Sequence, residues 1–219
     1  AYYYNSAVAK NAKDIDKEVE YLVRAQEYAE KTDDAYLKGL IYSLLAQKYY
    51  MQFSFEEALL LYEKSAKEFE KTGNLSNQLY AYSGIHNSLL CLDRAQESIP
   101  AARKALELAQ KLNNIEAASL WELEIMDIEH KINNVDDISR TKYLLTLLDN
   151  SDDIERYRRW GYIYCVENKL DSAIYYYKRY IANLPSFNRQ TIRPILNLAE
   201  LYRLTNKTNE TILYLNKYI

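Results

Sequence analysis

Glycine and proline are scarce in this sequence. Only four glycines and three prolines occur among 219 residues, and these are the residues that most often end helices and shape turns. Leu, Ala, Glu and Lys, which favour helices, are abundant. The shortage of helix breakers therefore predicts an all-α protein. It also excludes a glycine-rich phosphate-binding loop, because the four glycines are widely separated.

A basic excess and long apolar runs are absent as well. The formal net charge is -3, whereas nucleic-acid-binding domains usually carry clustered positive charge, so we predict no nucleic-acid partner for this segment. No run of about 18 apolar residues occurs, so we expect a soluble segment without membrane insertion. Because the chain begins at Ala1 rather than Met, we expect the natural N-terminus to lie upstream. The compartment, cytoplasmic or periplasmic, stays open.

Cysteine and histidine, the residues of many metal and catalytic sites, occur only twice each. Cys91 and Cys165 are far apart and are predicted to be free thiols in different helices. We interpret His86 as a partly buried, hydrogen-bonded core residue. His130 follows Asp127 by three residues and shares a helix face with it, but without further ligands we expect a solvated pair and no metal site. No nucleophile turn or spaced acid–base motif occurs, so the sequence predicts no enzyme and no cofactor.

One pattern of small and aromatic residues recurs along the chain. A small residue is followed by a tyrosine three positions later, and a second small or polar residue comes nine positions after that tyrosine. The clearest copy consists of Tyr157, Trp160, Gly161, Tyr164, Ala173, Tyr177 and Pro185. A second copy consists of Leu45, Ala46, Tyr49, Ala58 and Tyr62, and the last consists of Leu198, Ala199, Tyr202, Thr211 and Leu215.

This pattern resembles the tetratricopeptide (TPR) repeat, in which small residues allow two antiparallel helices to cross closely and large side chains fill the space around the crossing. With weaker copies included, the small-residue anchors fall at Ser6, Ala46, His86, Met126, Gly161 and Ala199. The early steps of 40 residues resemble a long-repeat TPR subclass. The resemblance implies a right-handed superhelical α-solenoid of about six TPR-like helical hairpins.

The resemblance covers the whole chain, which we interpret as a single array over 1–219. The approximate repeats are 1–32, 33–73, 74–113, 114–150, 151–186 and 187–219. The last helix stays apolar up to Ile219, so we expect that the last repeat is truncated. The alternative is that a second copy of the chain covers this face, which would make the protein a homo-oligomer through its terminal helix.

Two helix starts in the array can be read from the sequence. Ser54 and Glu57 have the spacing of a capping box. Pro100 lies inside the expected second helix of the third repeat. Either that helix begins late, capped by Ser98, or it kinks at Pro100.

The resemblance implies that a protein or peptide partner binds along the concave face, which is built from the first helix of each hairpin. Counting around those helices from the anchors gives candidate partner-binding residues. They are Tyr3, Ser43, Gln47, Tyr50, Tyr80, Ser83, Asn87, Leu90, Asp127, His130, Arg158, Tyr162, Arg193, Asn197, Glu200 and Arg203. The early part is neutral and aromatic, and the later part is richer in arginine, where an acidic group of the partner would bind. The alternative for Tyr50 and Tyr80 is that they pack against the next repeat.

Two interpretations of function follow. The first is a non-catalytic scaffold that binds a peptide or protein partner along the concave face. The second is a sensory or regulatory segment of a larger bacterial transcription regulator or histidine kinase, because the composition resembles that of TPR regions in Bacteroidetes regulators. Carbohydrate binding by the tyrosine-rich face is a further alternative.

The anchor at Gly161 generates a first testable prediction. We expect Gly161→Leu to lower the midpoint of thermal unfolding, because a branched side chain does not fit at the helix crossing and overpacking costs about 1–3 kcal/mol. Circular dichroism at increasing temperature measures the change. A variant that melts like the wild type would show that the pattern is placed wrongly in the fifth repeat.

Overall fold

The computed structural model describes residues 15–133, 137–148, 154–184, 189–207, 209–210 and 212–213. Within these ranges the regular secondary structure consists of α-helices, without strands. The expectation of an all-α protein is therefore confirmed. The chain divides into two compact units, Ala1–Asp136 and Asp137–Ile219, which are called unit 1 and unit 2 below.

Unit 1 contains six helices in the described residues. They are α1 (Ile15–Ala29), α2 (Ala35–Met51), α3 (Phe55–Thr72), α4 (Leu75–Cys91), α5 (Ala95–Lys111) and α6 (Ile115–Asn133). Each helix packs against the next one along the chain. Because the connections are short, neighbouring helices run antiparallel and form hairpins, with α2, α4 and α6 as the first helices of successive pairs.

The first helices of unit 1 begin in the same way every forty residues. The side chains of Asp34, Asn74 and Asn114 each accept a hydrogen bond from the backbone N–H three residues later, at 2.9 to 3.0 Å. This bond satisfies one of the N–H groups that a helix start leaves without a partner. The common cap fixes the alignment of α2, α4 and α6, so that residues forty positions apart are equivalent.

The helix ends also repeat. In the part of the chain that the structure describes, five turns contain a residue with φ between 53° and 62°. The N–H of the next residue donates to the carbonyl five positions before it, as in a Schellman motif. The residues with positive φ are Phe53, Asp93, Asn113, Asn168 and Asn206. Gly73 closes α3 with a φ of 68°. These tight turns reverse the direction of the chain, so that each helix packs against the one before it.

Unit 2 contains four helices in the described residues. They are α7 (Ile138–Leu147), α8 (Glu155–Val166), α9 (Leu170–Ala182) and α10 (Arg189–Leu204). The pair α8 and α9 packs closely, and α10 packs against α9. The rings of Trp160, Tyr164 and Tyr176 stack beside this pair, with centroids 5.3 to 6.1 Å apart. These aromatic rings therefore fill space between α8 and α9.

Glycines lie directly under aromatic rings at three helix contacts. A Cβ built on Gly39 would lie 2.9 Å from the Phe69 ring, and one on Gly161 would lie 3.0 Å from Tyr177. A Cβ on Gly84 would lie only 2.5 Å from the ring of Tyr62, one hairpin earlier in the chain. The sequence pattern contains Gly161 but not Gly39 or Gly84, because their partner rings lie at other spacings than the repeat motif.

The residues of the repeat pattern have the following burial. Ala46, Ala58 and Ala173 are fully buried. Four further residues of the pattern are only 2 to 5% exposed: Tyr62, Tyr177, Ala199 and Tyr202. Tyr49, Trp160 and Tyr164 are half-buried. Pro185, Thr211 and the terminal residues 214–219 lie outside the described residues, so the proposed homo-oligomer through the terminal helix stays a prediction.

One expected helix start is wrong, and one of the two alternatives for α5 is excluded. Ser54 precedes α3, but its side chain makes no capping hydrogen bond, so the capping box with Glu57 does not form. Helix α5 begins at Ala95, before Pro100, so it does not start late. Ser98 lies inside the first turn, and its hydroxyl donates to the Ala95 carbonyl at 2.7 Å instead of capping the helix.

The contact between Gly84 and Tyr62 generates a prediction for unit 1. In Gly84→Ala the added methyl group overlaps a buried ring, and this overpacking outweighs the roughly 1 kcal/mol that alanine adds to helix stability over glycine. We expect a net loss of about 1 kcal/mol, measured as a lower urea midpoint by circular dichroism. In the Tyr62→Leu background the same change should lose nothing, because the ring is gone. A midpoint for Gly84→Ala at or above that of the wild type would contradict the close contact.

Candidate functional site

The candidate partner-binding residues of unit 1 lie on its first helices, α2, α4 and α6. Tyr80 and Asn87 are exposed. Half-buried candidates are Gln47, Tyr50, Ser83, Leu90, Asp127 and His130. Ser43 is only 5% exposed and its hydroxyl donates to the Leu40 carbonyl, so it packs inside the unit and we leave it out of the surface discussed below. Tyr3 lies outside the described residues.

The two tyrosines proposed for the surface differ in their surroundings. The Tyr50 hydroxyl lies 3.2 Å from the Cys91 sulfur, and its ring meets Phe55 edge-on at 5.3 Å. Burial, followed by the contact with Cys91, raises the pKa of Tyr50 to about 12. Tyr80 meets Tyr62 edge-on but is 44% exposed. Tyr50 therefore packs against Phe55 of its own hairpin and Cys91 of the next one, whereas Tyr80 leaves much of its ring exposed.

A cavity of about 320 Å³ lies between α4 and α6. Its lining residues are His86, Asn87, Ala117, Leu120, Trp121 and Glu124. Both helices are first helices of their hairpins, and Asn87 belongs to the candidates read from the sequence. The volume lies at the lower end of the range for ligand pockets, which suits one long side chain.

His86 forms the least exposed part of the cavity wall, at 1% exposure. Its ring meets the Trp121 ring at nearly a right angle, with centroids 5.2 Å apart. Its Nε2 lies 3.8 Å from a carboxylate oxygen of Glu124, beyond hydrogen-bond distance, and its buried Nδ1 has no hydrogen-bond partner. The interpretation of His86 as partly buried and hydrogen-bonded is therefore wrong: the residue is fully buried, and its Nδ1 is unsatisfied.

The chemistry of the cavity combines an indole, a carboxylate and an amide. Trp121 and Glu124 are half-buried, so each offers part of its surface. Asp127 follows Glu124 by one turn of α6, which extends the acidic character along the same helix face. Sequence reasoning missed Trp121 and Glu124. The forty-residue alignment does not mark them, because the equivalent positions hold Ala81 and Gly84 one repeat earlier but Ile41 and Leu44 two repeats earlier.

Several candidate residues of unit 2 form hydrogen bonds within that unit: Arg158, Asn197, Glu200 and Arg203. Arg158 donates to Glu155, and Arg203 makes two hydrogen bonds to Glu200, at 2.6 and 2.7 Å. These arginines therefore already have carboxylate partners. Asn197 donates to the Tyr177 hydroxyl at 3.3 Å, and Tyr162 is half-buried. The side chain of Arg193 lies outside those described.

Two further searches cover only the described part of the chain. Among those residues, His, Cys, Asp and Glu form no group of three that could hold a metal ion. None of the helices in the described ranges has an apolar stretch long enough to cross a membrane. Cys91 and Cys165 are free, as expected.

Comparison with known proteins gives structural likeness at low sequence identity. No protein-family model and no curated protein sequence matches the chain. The quorum sensor NprR from B. thuringiensis, in its apo form, is similar with a TM-score of 0.70 and 14% identity, over 99% of this chain and 63% of NprR. The apo form of RapI is similar with a TM-score of 0.68 and 10% identity, over 97% of this chain and 93% of RapI.

A third similar structure contains a tetratricopeptide repeat sensor. A signal transduction ATPase with numerous domains from Pyrococcus horikoshii, which carries a tetratricopeptide repeat sensor, has a TM-score of 0.67 and 20% identity, over 94% of this chain and 33% of that protein. The chain therefore has the TPR fold, and the resemblance read from the sequence is confirmed at the level of the fold.

Tyr177 generates a prediction for alkaline pH. Burial raises the pKa of Tyr177 to about 12, against about 10 in an unfolded chain. The folded state then holds the proton more tightly than the unfolded state, so stability is full below pH 10 and falls as pH rises from 10 to 12. In Tyr177→Phe we expect the loss of stability between pH 9 and 11 to be smaller by about 1 kcal/mol. Urea unfolding at the two pH values measures it, and an equal loss in both proteins would contradict the buried hydroxyl.

Proposed function

We propose that the protein is a non-catalytic interaction scaffold that binds an extended peptide, or an extended segment of a protein, along α2, α4 and α6 of unit 1. The observation that carries this proposal is the cavity between α4 and α6. It lies between two first helices, where the resemblance to TPR repeats implies the partner-binding face, and it is large enough to receive a side chain of a partner.

The side chains around the cavity suit an extended peptide. Asn87 is exposed beside it, and an asparagine amide can donate to a backbone carbonyl and accept from a backbone N–H at once. Tyr80 is exposed two turns before Asn87, on the same face of α4. A tyrosine contributes a large contact area at a small entropic cost, so it can hold a partner beside the cavity.

The structural neighbours support the same class of partner. NprR, whose fold this chain shares, is also known in complex with its cognate peptide NprX, with a TM-score of 0.65 and 15% identity to this chain. At this identity the likeness concerns the fold alone. The NprR complex supports a peptide as the class of partner, and we extend that use to this chain as a proposal.

A second candidate function concerns context. The chain covers 63% of the NprR quorum sensor and 33% of the Pyrococcus ATPase that carries a TPR sensor. We therefore also propose that these hairpins act as the sensory segment of a larger regulatory protein. Peptide binding would then be the input, and the two candidates are compatible.

The test uses the protein with a phage-displayed library of random linear 12-residue peptides, followed by anisotropy titration of the selected peptides. The double variant Tyr80→Ser, Asn87→Ser should raise the Kd of a selected peptide about tenfold or more, because the two changes remove exposed contacts beside the cavity. Circular dichroism should show unchanged helicity, because neither residue lies in the core.

The matched control is Gln96→Ser with Gln110→Ser, which removes two exposed polar side chains from α5, a second helix. This variant should bind the same peptide with a Kd within about twofold of that of the wild type. Two results would contradict the proposal: a library that yields no enriched peptide family, or an equal loss of affinity in both double variants.

A further inference from the structure

Another cavity, of about 570 Å³, lies in unit 2. It is lined by one face of α9, from Asp171 to the C-cap residue Asn183, and by Lys207, which follows α10. The lining residues of α9 recur every three or four positions, so they form one continuous strip along the helix. The strip advances about 18 Å, a length that accommodates about five residues of an extended peptide. This cavity is called the α9 groove below.

The described lining residues of the α9 groove carry three positive charges and one negative charge. The negative charge belongs to Asp171, whose carboxylate lies 3.2 Å from the Lys207 ammonium group. The other two cations, Lys178 and Arg179, are exposed, and no carboxylate among the described residues pairs with either of them. These two residues are called the cation pair. The groove therefore has a positive charge that its own acidic residue does not balance.

The end of α9 differs in this respect from the ends of α3 and α5, the second helices of unit 1. Lys71 of α3 pairs with Glu68, and Lys111 of α5 pairs with Glu107. A cation is favoured near the carboxyl end of any helix, and here a carboxylate one turn earlier balances its charge. In α9 the positions three and four residues before the cation pair hold only isoleucine and tyrosine. The helix end therefore accounts for a cation, but not for two cations without a carboxylate.

Two tyrosine rings hold the guanidinium group of Arg179. The guanidinium carbon lies 5.3 Å from the centre of the Tyr157 ring and 5.6 Å from the centre of the Tyr175 ring. One N–H also donates to the Tyr175 hydroxyl at 3.0 Å. Cation–π contacts fix the group without neutralising its charge, and its remaining N–H groups can donate to an anion. A guanidinium group held in this way is prepared for a carboxylate, which it can bind with two parallel hydrogen bonds.

The position on the helix favours carboxylates over a phosphate group. The cation pair lies near the carboxyl end of α9, where the free carbonyl groups carry a partial negative charge. This charge repels a doubly charged phosphate group more strongly than it repels a singly charged carboxylate. The length of the groove also matches a stretch of peptide better than a single small anion. Tyr175, with a ring that is 52% exposed, adds an apolar contact beside the charges.

We propose that the α9 groove binds an acidic segment of a protein partner, with aspartate or glutamate side chains of that segment on Lys178 and Arg179. Tyr157 and Tyr175 are positioning residues, because they fix the guanidinium group that binds the carboxylate. The site lies in unit 2 and does not depend on the peptide proposed for unit 1. It provides the acidic contact that the sequence assigned to arginines of the first helices, several of which have carboxylate partners within the chain.

The experiment uses the whole chain and a library of synthetic eight-residue peptides. Each peptide carries two glutamates separated by one residue, so that both side chains point the same way in an extended chain, and the other positions vary. The strongest binder is the acidic peptide, and its copy with both glutamates replaced by glutamine is the amide peptide. In anisotropy titrations the amide peptide should bind about tenfold or more weakly than the acidic peptide.

The variants locate the group that detects the charge. In the double variant Lys178→Gln, Arg179→Gln the acidic and amide peptides should bind within about twofold of each other, because the charge partners are gone. The matched control is Lys67→Gln with Lys131→Gln, which removes the same charge from exposed positions on α3 and α6. The control should keep a difference of about tenfold. Circular dichroism should show equal helicity in all three proteins.

A second pair of variants tests the positioning role of Tyr175. In Tyr175→Leu the guanidinium group loses a ring and a hydrogen bond, so the acidic peptide should bind about threefold or more weakly while the amide peptide is unaffected. Tyr175→Phe keeps the ring and should restore most of the difference between the two peptides. An equal effect of Tyr175→Leu on both peptides would contradict the positioning role.

The remaining outcomes are equally decisive. An acidic peptide that binds no better than its amide copy, or a difference that survives Lys178→Gln, Arg179→Gln, would refute this inference, as would an equal loss in the control. A copy with phosphoserine in place of one glutamate that binds more than about tenfold tighter would overturn the choice of carboxylates. A loss of the acidic peptide in Tyr80→Ser, Asn87→Ser would place it on unit 1, which would refute this inference and support the proposed function.

Discussion

The close approach of paired helices is the constraint on which the rest of the structure depends. A TPR hairpin buries only one side of each helix, so neighbouring helices must come near enough to exclude water. Gly84 under the ring of Tyr62 and Gly161 under the ring of Tyr177 show how near they come, since neither contact leaves room for a Cβ in its ordinary position. A small residue on one helix and a ring on the next are thus a single unit of packing. Tyrosine suits this use because its apolar ring is buried while its hydroxyl reaches a polar partner.

The same constraint explains why most of the fold could be predicted from the sequence. Within one hairpin, the small residue and the ring that covers it lie at a fixed spacing, so Gly161 and Tyr177 form a visible pattern. Gly84 contacts Tyr62 of the preceding hairpin, which the motif does not relate to it, and was therefore missed. Gly39 and Phe69 lie in one hairpin but at a spacing that the motif does not contain, so Gly39 was missed as well. Caps depend on the orientation of a single side chain, so Asp34 and Ser54 look alike in the sequence although only Asp34 accepts a capping bond. The start of α5 before Pro100 was equally open, because proline is tolerated early in a helix.

The candidate site was predictable in its location and not in its chemistry. Asn87 was placed on the partner-binding face by counting around α4, and it does line the cavity. His86 was assigned to the core, and Trp121 and Glu124 were not singled out, because nothing in the repeat motif relates α4 to α6. What relates them is the alignment of the two helices by Asn74 and Asn114.

In unit 1, hairpin packing and the proposed partner binding use different residues. Small and aromatic residues such as Ala46 and Tyr62 hold the hairpins together, and Tyr50 joins them by packing on Phe55 and Cys91. The proposed recognition surface uses residues that the packing does not require. On this account, the residues that pack the hairpins together and the residues that select the partner can change independently of each other. TPR structures with only 10 to 20% identity to this chain share its fold, which is consistent with that independence.

The most direct test of the central claim is acrylamide quenching of Trp121 fluorescence in a Trp160→Phe variant, in which Trp121 is the sole tryptophan. Quenching is measured without peptide and with a selected peptide at a concentration that calorimetry shows to be saturating. The account predicts that the bound peptide protects Trp121 from the quencher, because its side chain occupies the cavity. Equal quenching with and without the saturating peptide would contradict the claim that the partner binds in the cavity between α4 and α6.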